Sequence, residues 1–451
     1  MPDLARPDLA RPVVASLATS MAGTGLAIAL LWPEQIWLFF AAALGAVLLL
    51  LGLAFPVPAC MAWLLAVGLT PDMWLGEFLG TGMAAAIVAA LKLAGLMLVA
   101  LTLLRYGPAG DLFNPGFAFA AMFAAGLLHG LHPNLDQGES FRTFLGSAAP
   151  FAFGFVRLPP KWSRGIILTV LCIPLASVLL GAGLAGLGLR PLLVEGAGLR
   201  LQGAGHPAFL GGFALTASCA ALTELLRTGA TRYLLWLTLN LTILALSGAR
   251  APLAIGIAII GLALLLVPAP NLSWPRRITL LLGGAVLAVI LATAAGLLAT
   301  TGLLTSIRIF NLLATDADNL SGRDEIWPIF QAAWDASPWW GWGVGAGKVL
   351  VGLDTPLARM LGTTAAHNEY LRIGVEGGYI GLGLLVVCFV LWSARHLRVL
   401  CGPDRWVMLL VMIGFAVHSS TDNTLIATTS SVLFAWIAAV FARGAHKESY
   451  R

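Results

Sequence analysis

Cationic and imidazole side chains recur at the ends of apolar runs in the second half of this chain. Arg200-Leu-Gln-Gly203 is followed by His206-Pro207, just before an apolar run. Leu246-Ser247-Gly248-Ala249-Arg250 joins two further runs through a very short turn. A long polar stretch then carries Ser321-Gly322-Arg323-Asp324-Glu325-Ile326-Trp327, the tryptophan- and glycine-rich segment 337–345, His367-Asn368-Glu369-Tyr370-Leu371 and Glu376-Gly377-Gly378. A guanidinium stays charged and can bond two phosphate oxygens at once. An imidazole takes up and returns a proton near neutral pH. Together these types suit a site that grips a multiply charged anion while a hydroxyl proton is removed. The plainer reading stands beside it: an arginine snorkelling to an interface, and a histidine that caps or packs in a loop.

The elements that must position these groups are membrane helices. Of 451 residues, 59% are hydrophobic and 10% charged, against roughly a quarter charged in a soluble domain. Mean hydropathy is +0.90. This excludes a cytosolic enzyme, a disordered chain and a nucleic-acid binder, and describes a polytopic helical membrane protein. Apolar runs predict an all-α chain with twelve to fourteen transmembrane helices and one large loop. The expected division is 1–300 for N-terminal membrane helices, 301–375 for the loop, and 376–451 for C-terminal membrane helices and tail. The five cysteines are scattered without metal-ligand spacing and read as small packing residues. The polar, proline-interrupted start reads as a tail rather than a signal peptide.

Loop charges give the orientation. One set of loops holds most of the cations, among them Arg105, Arg157, Lys161, Arg164, Arg276, Arg277, Arg395, Arg398 and Arg405. The other holds fewer cations and most acids, including Asp72, Glu77, Asp136 and Glu139. Both termini are then expected in the cytoplasm and the 301–375 loop outside it. No GxxxxGK[ST] segment occurs, so chemistry on the outer face must use an already activated substrate.

The ordered patches from Arg200 to about residue 385 resemble the O-antigen ligase and polymerase superfamily of bacterial membrane glycosyltransferases. The resemblance lies in RLxG…HP, an arginine in the short turn, SGR…IW, a GxG stretch, and HNxYL followed by ExGxxG. It implies a GT-C-like fold in the bacterial inner membrane, with its active site on the periplasmic side. It implies a glycan donor linked to undecaprenyl pyrophosphate, a lipid A-core or glycan acceptor, surrounding membrane lipids as partners, and no nucleic acid. The family's functional arginines map to Arg250 and Arg323, and its histidine to His367. Ala249 stands where a serine often precedes the turn arginine, with the serine at Ser247 instead.

On these terms Arg250 and Arg323 bind the pyrophosphate and stabilise charge on the leaving group, with Arg200 as a third candidate. His367 is the general base, and Asn368 and Glu369 orient the imidazole or the sugar. Direct attack by the acceptor predicts inversion at the anomeric carbon. No cluster has metal-ligand spacing, so no cofactor and no metal are expected. The leading expectation is a ligase; a polymerase or a protein O-oligosaccharyltransferase shares the donor chemistry. From a different class, a lipid-linked oligosaccharide flippase or transporter would also carry buried cations, but along a central passage.

The loop and a few isolated residues carry further expectations. A helix from about Ser321 to Ala336, with Pro328 inside and Pro338 ending it, would lie amphipathically over the bundle. Trp327, Trp334, Trp339, Trp340 and Trp342 either anchor at the headgroups or stack on sugars. The segment Gly341–Lys348 imitates a phosphate loop, but no strand precedes it. Lys92 inside an apolar run contacts a phosphate or a carbonyl, or pairs with an acid. His418 and Asp422 flank an HSSTDN turn, where they either line a cleft or cap a helix.

Overall fold

The computed structural model describes residues 54–195, 198–284, 323–352, 354–361, 363–426 and 428–448, with Gly52 and Val286 besides. The chain divides into two compact units, Met1–Ala59 and Cys60–Arg451. Of the predicted N-terminal membrane helices, residues 1–51, 53, 285 and 287–300 lie outside the described residues, as do loop residues 301–322.

The described chain is helical, with one two-stranded antiparallel sheet. In order come α1 (Pro56–Gly68), α2 (Pro71–Leu79), α3 (Thr81–Tyr106), α4 (Gly116–His129), α5 (Gln137–Ala148) and α6 (Pro160–Gly186). Strands β1 (Leu193–Val194) and β2 (Arg200–Leu201) precede α7 (Pro207–Thr228), α8 (Thr231–Leu246) and α9 (Arg250–Leu266). After the undescribed segment follow α10 (Arg323–Ala336), α11 (Pro356–Leu361), α12 (Glu369–Val399), α13 (Gly402–Ser419) and α14 (Thr428–Glu448). Among the described residues, four helices are long and apolar enough to cross a membrane, or five if α1 and α2, bent by 60°, form one broken span.

Helix α7 is the centre of the bundle, and most of its residues are buried. It starts with a histidine cap and Pro207 at its first turn, a position where the missing N–H costs nothing. Its glycines let neighbours close in. A Cβ on Gly211 would strike Ala249, and one on Gly212 would strike Thr429. So the short turn before Arg250 and the start of α14 both press against the beginning of α7. At the far end of α7 the buried Glu224 pairs with Arg227 at 2.5 Å and with Arg443 of α14, and Arg443 reaches Asp404 of α13 at 2.7 Å. Each of these groups has an oppositely charged partner, which offsets the cost of its burial. Arg277 is buried in another way, donating to the carbonyls of Leu272, Val267 and Ala269.

Helix α12 is the longest element, with 31 residues, roughly 46 Å at 1.5 Å per residue. It kinks at Gly378, where φ is 61° and ψ is −165°. The glycine-rich loop fills the break. Trp342 and Gly343 donate to the Val375 and Glu376 carbonyls at 2.8 and 3.0 Å. Tyr379 and Ile380 donate in turn to Pro338 and Trp339. The loop thus takes over hydrogen bonds that the helix gives up. Segment 341–348 is therefore a tightly packed turn, and Lys348 is bound to Glu139 and Thr143 of α5 at 3.0 and 2.9 Å.

Helix α10 runs to Ala336 with Pro328 inside, as its sequence pattern suggests. It buries Ile326 and Phe330 in a cluster with Leu135, Val351 and Val375. Two of its tryptophan neighbours are structural ties. Trp327 donates to the Ala366 carbonyl at 2.8 Å, and Trp342 to the Ala333 carbonyl at 2.7 Å. Trp339 and Trp340 are exposed.

The kink makes a test. The Gly378 backbone lies in a region open almost only to glycine, and an added Cβ would collide with the Trp339 backbone. Gly378→Ala is expected to cost about 1–3 kcal/mol. It should lower the thermal unfolding midpoint in detergent and open segment 338–343 to proteolysis. An unchanged midpoint and cleavage pattern would refute this role of the kink.

Candidate active site

The loop before α12 presents His367 at a backbone φ of 47°, a left-handed conformation uncommon for a residue with a side chain. Its surroundings enforce it. Trp327 holds the preceding carbonyl, that of Ala366. Asn368 caps α12 by accepting from the N–H groups of Tyr370 and Leu371 at 3.0 and 3.2 Å. The imidazole is held on both nitrogens: Nδ1 stands 3.2 Å from Asp422 Oδ1, and Nε2 stands 3.2 Å from the Thr363 hydroxyl. An ionised Asp422 only accepts, so the proton of the neutral ring belongs on Nδ1 and Nε2 is left as an acceptor. That is the arrangement of a general base oriented by a carboxylate.

Asp422 comes from the turn between α13 and α14, distant in sequence. Glu369 brings it there. The Glu369 carboxylate is buried and accepts from the Leu425 N–H at 2.6 Å. Its other oxygen accepts from Arg372 at 2.5 Å, and Arg372 also bonds Glu376 at 2.7 Å. One ion network thereby joins the start of α12, just after His367, to the turn that carries Asp422. His418 adds to the setting, with its Nε2 3.8 Å from Asp422 Oδ2. Burial pushes the Asp422 carboxyl up, but the His367 hydrogen bond, the nearby His418 and the Asn423 N–H hold it below the usual carboxylate range.

Arg200 and His206 lie on the same side. The Arg200 guanidinium donates through Nε to the Ser247 carbonyl at 2.9 Å, which ties β2 to the turn before Arg250. The Ser247 hydroxyl is spent locally, donating to Leu244 and accepting from Ala249 N–H. His206 Nδ1 accepts from Ala208 N–H at 3.2 Å. Its surroundings, then the charges of Arg200 and Arg190, lower its pKa, while Asp422 acts the opposite way. His206 is therefore electrostatically linked to Arg200 and to the His367–Asp422 pair.

Arg250 is the first residue of α9 and is exposed. It has no hydrogen-bond or ion-pair partner among the described residues. A cation at a helix N-terminus is opposed by the helix dipole. The free N–H groups of a helix start and a guanidinium both favour an anion. Arg323 opens α10, but its side chain lies outside the described residues.

The residues read from the sequence thus fall into three groups. His367 sits in a loop with a carboxylate partner. Arg200 and Arg250 flank the Ser247 turn. Asn368 and Glu369 cap and tie the backbone around His367, whose imidazole is bonded instead to Thr363 and Asp422. Asp422, His418 and His206 are the additions. The HSSTDN turn and the HP step marked them in sequence, but nothing local linked them to His367. Among the described residues no group of three or more His, Cys, Asp or Glu side chains is placed to hold a metal ion.

The sign of the Asp422 shift gives a pH test. A carboxyl whose folded pKa is depressed contributes stability that is fully present above its unfolded pKa, about 3.9, and is lost as pH falls through the lower folded value. The stability gap between the protein and Asp422→Asn should persist as pH falls to about 5 and close only below about 4. Thermal unfolding across that range measures it. A gap that closes near pH 6 would contradict the assignment.

No curated protein matches the chain. Over residues 233–386 it matches the family model described as O-antigen ligase, a stretch that includes Arg250, Arg323, His367 and the α12 kink but not Arg200 or Asp422. This match supports the O-antigen ligase and polymerase superfamily as the one to which the chain is similar.

Proposed function

We propose that the protein transfers a glycan from a polyprenyl pyrophosphate carrier, undecaprenyl pyrophosphate in bacteria, to an acceptor hydroxyl. The coarser statement, an O-antigen ligase- or polymerase-like enzyme in a bacterial membrane, follows from the family match and the apolar helices. The single observation that carries the finer reading is the His367–Asp422 pair, with Nε2 facing a hydroxyl.

In this reaction the acceptor hydroxyl takes the place of the Thr363 hydroxyl at Nε2. Its oxygen attacks the anomeric carbon as its proton passes to Nε2. The bond from that carbon to the pyrophosphate oxygen breaks, and the electron pair leaves on the pyrophosphate. Arg250, with Arg323 and Arg200, neutralises the charge that develops there. Asp422 stabilises the imidazolium and fixes its tautomer. Attack opposite the leaving group inverts the anomeric centre, with no covalent enzyme intermediate and no metal. The site lies on the periplasmic face, opposite the cation-rich loops and both termini. Lipid A-core is the proposed acceptor, which makes the enzyme a ligase. A second lipid-linked glycan would make it a polymerase, and a protein hydroxyl an oligosaccharyltransferase.

The test gives purified protein a polyprenyl-pyrophosphate glycan with lipid A-core, with a second donor molecule, or with an acceptor protein. Product without nucleotide is expected with the first. His367→Ala should lower turnover by about 10²–10⁴-fold with little change in donor affinity. Arg250→Ala should lower turnover by about 10²-fold and weaken the donor as well. Full transfer by His367→Ala would remove the base, and product only with a different acceptor would move the protein to that branch.

A further inference from the structure

Lys92 lies ten residues beyond Gly82, about 15 Å along the apolar helix α3 at 1.5 Å per residue. A lysine at that depth is costly unless something answers its charge. Among the described residues its ammonium has no hydrogen-bond or ion-pair partner. It points into a cleft lined by Trp63, Asp72, Lys92, Gly146, Ile426 and Ser431, between α1, α3, α5 and the start of α14. Its Nζ lies 2.7 Å from where a Cβ on Gly146 would stand, so glycine there leaves room for the ammonium. Asp72 lines the same cleft beyond ion-pair distance, with its Oδ1 buried and without a hydrogen-bond partner. The other charged groups acting on Lys92 are Lys348, Arg142 and Glu139. Glu139 is engaged by Lys348 and Arg142 at 3.0 and 3.3 Å, and among the described residues it forms no ion pair with Lys92.

The backbone supplies an independent sign. Helices α1 and α2 bend by 60° at Leu69–Thr70, immediately before Asp72. Thr70 takes a left-handed φ of 45°, and its hydroxyl is buried without a partner. A broken helix at membrane depth is tolerated where it is buried in protein or lines a cavity, and such breaks accompany ligand sites. Trp63 holds α1 to α3 by donating to the Leu91 carbonyl at 2.8 Å, one residue before Lys92. Leu93 and Met97, on the same helix as Lys92, are exposed apolar residues.

We propose that this cleft binds the phosphate of an anionic lipid, with Lys92 as its cation and Asp72 as the resting counter-charge that the phosphate displaces. The depth of Lys92 and the apolar surface beside it select an amphiphile over a free anion. The proposal does not rest on glycan transfer, since neither the His367 pair nor Arg250 lines the cleft.

Native mass spectrometry of the full-length protein in a neutral detergent tests it, with phosphatidic acid as probe, phosphatidylcholine as control and inorganic phosphate as competitor. Wild type should retain phosphatidic acid in preference to phosphatidylcholine. Lys92→Met should cut that retention by about tenfold, the scale of one charge-assisted contact, and Lys92→Arg should keep it. Asp72→Asn, which frees Lys92 of its competitor, should retain as much or more, so the proposal stays testable if Lys92→Met does not fold. Equal retention by wild type and Lys92→Met overturns the site. A loss in Asp72→Asn marks an internal Lys92–Asp72 pair and overturns it as well. Displacement by inorganic phosphate at equal concentration overturns the lipid as occupant.

Discussion

Arg372, buried between Glu369 and Glu376, is the interaction on which the candidate site depends. An arginine at this depth cannot shed its proton, so it must be held by carboxylates or stay out of the protein. Both carboxylates lie one helical turn away on either side, at i−3 and i+4. Arg372 therefore fixes Glu369, and Glu369 uses its remaining oxygen to hold Leu425. Replacing such a network with apolar groups can cost little, whereas removing one member leaves a buried charge without a partner. Its worth here is positional. It aligns two segments, one carrying His367 and the other Asp422, that no apolar contact could register to hydrogen-bond accuracy.

The same economy of partners appears elsewhere. Glu224, Arg443 and Asp404 join α7, α14 and α13. At the break in α12, loop and helix exchange backbone hydrogen bonds, which lets irregular chain run through the bundle. Among the described residues Arg250 and Lys92 have no hydrogen-bond or ion-pair partner, a trait they share with exposed cations such as Lys161 and Arg164. Of the two, Lys92 lies inside an apolar helix, where a cation without a partner is costly and points to a ligand.

Much of the architecture was legible along the chain. Apolar runs with few charges have one stable outcome in lipid, the helix. Pro207, Pro328 and Pro338 mark a start, an interior position and a stop that the structure shares. His367 was legible from its motif. Asp422 was visible only as part of a polar turn, because a histidine and an aspartate 55 residues apart have no shared periodicity to read. Glu369 read as a residue facing the imidazole or the sugar, whereas its bonds run to Arg372 and to the Leu425 backbone.

What the sequence by itself determined was the class of structure and the chemical types at the site: hydrophobicity is a property of composition, and guanidinium and imidazole act according to their kind. What only the tertiary structure decided was which of those groups meet. The direction of His367 follows from a left-handed backbone held by Trp327 and by the α12 cap. Its carboxylate partner follows from where α13 and α14 end and begin. Hydrogen bonds act over about 3 Å, and the chain brings groups to that range only when distant helices have packed.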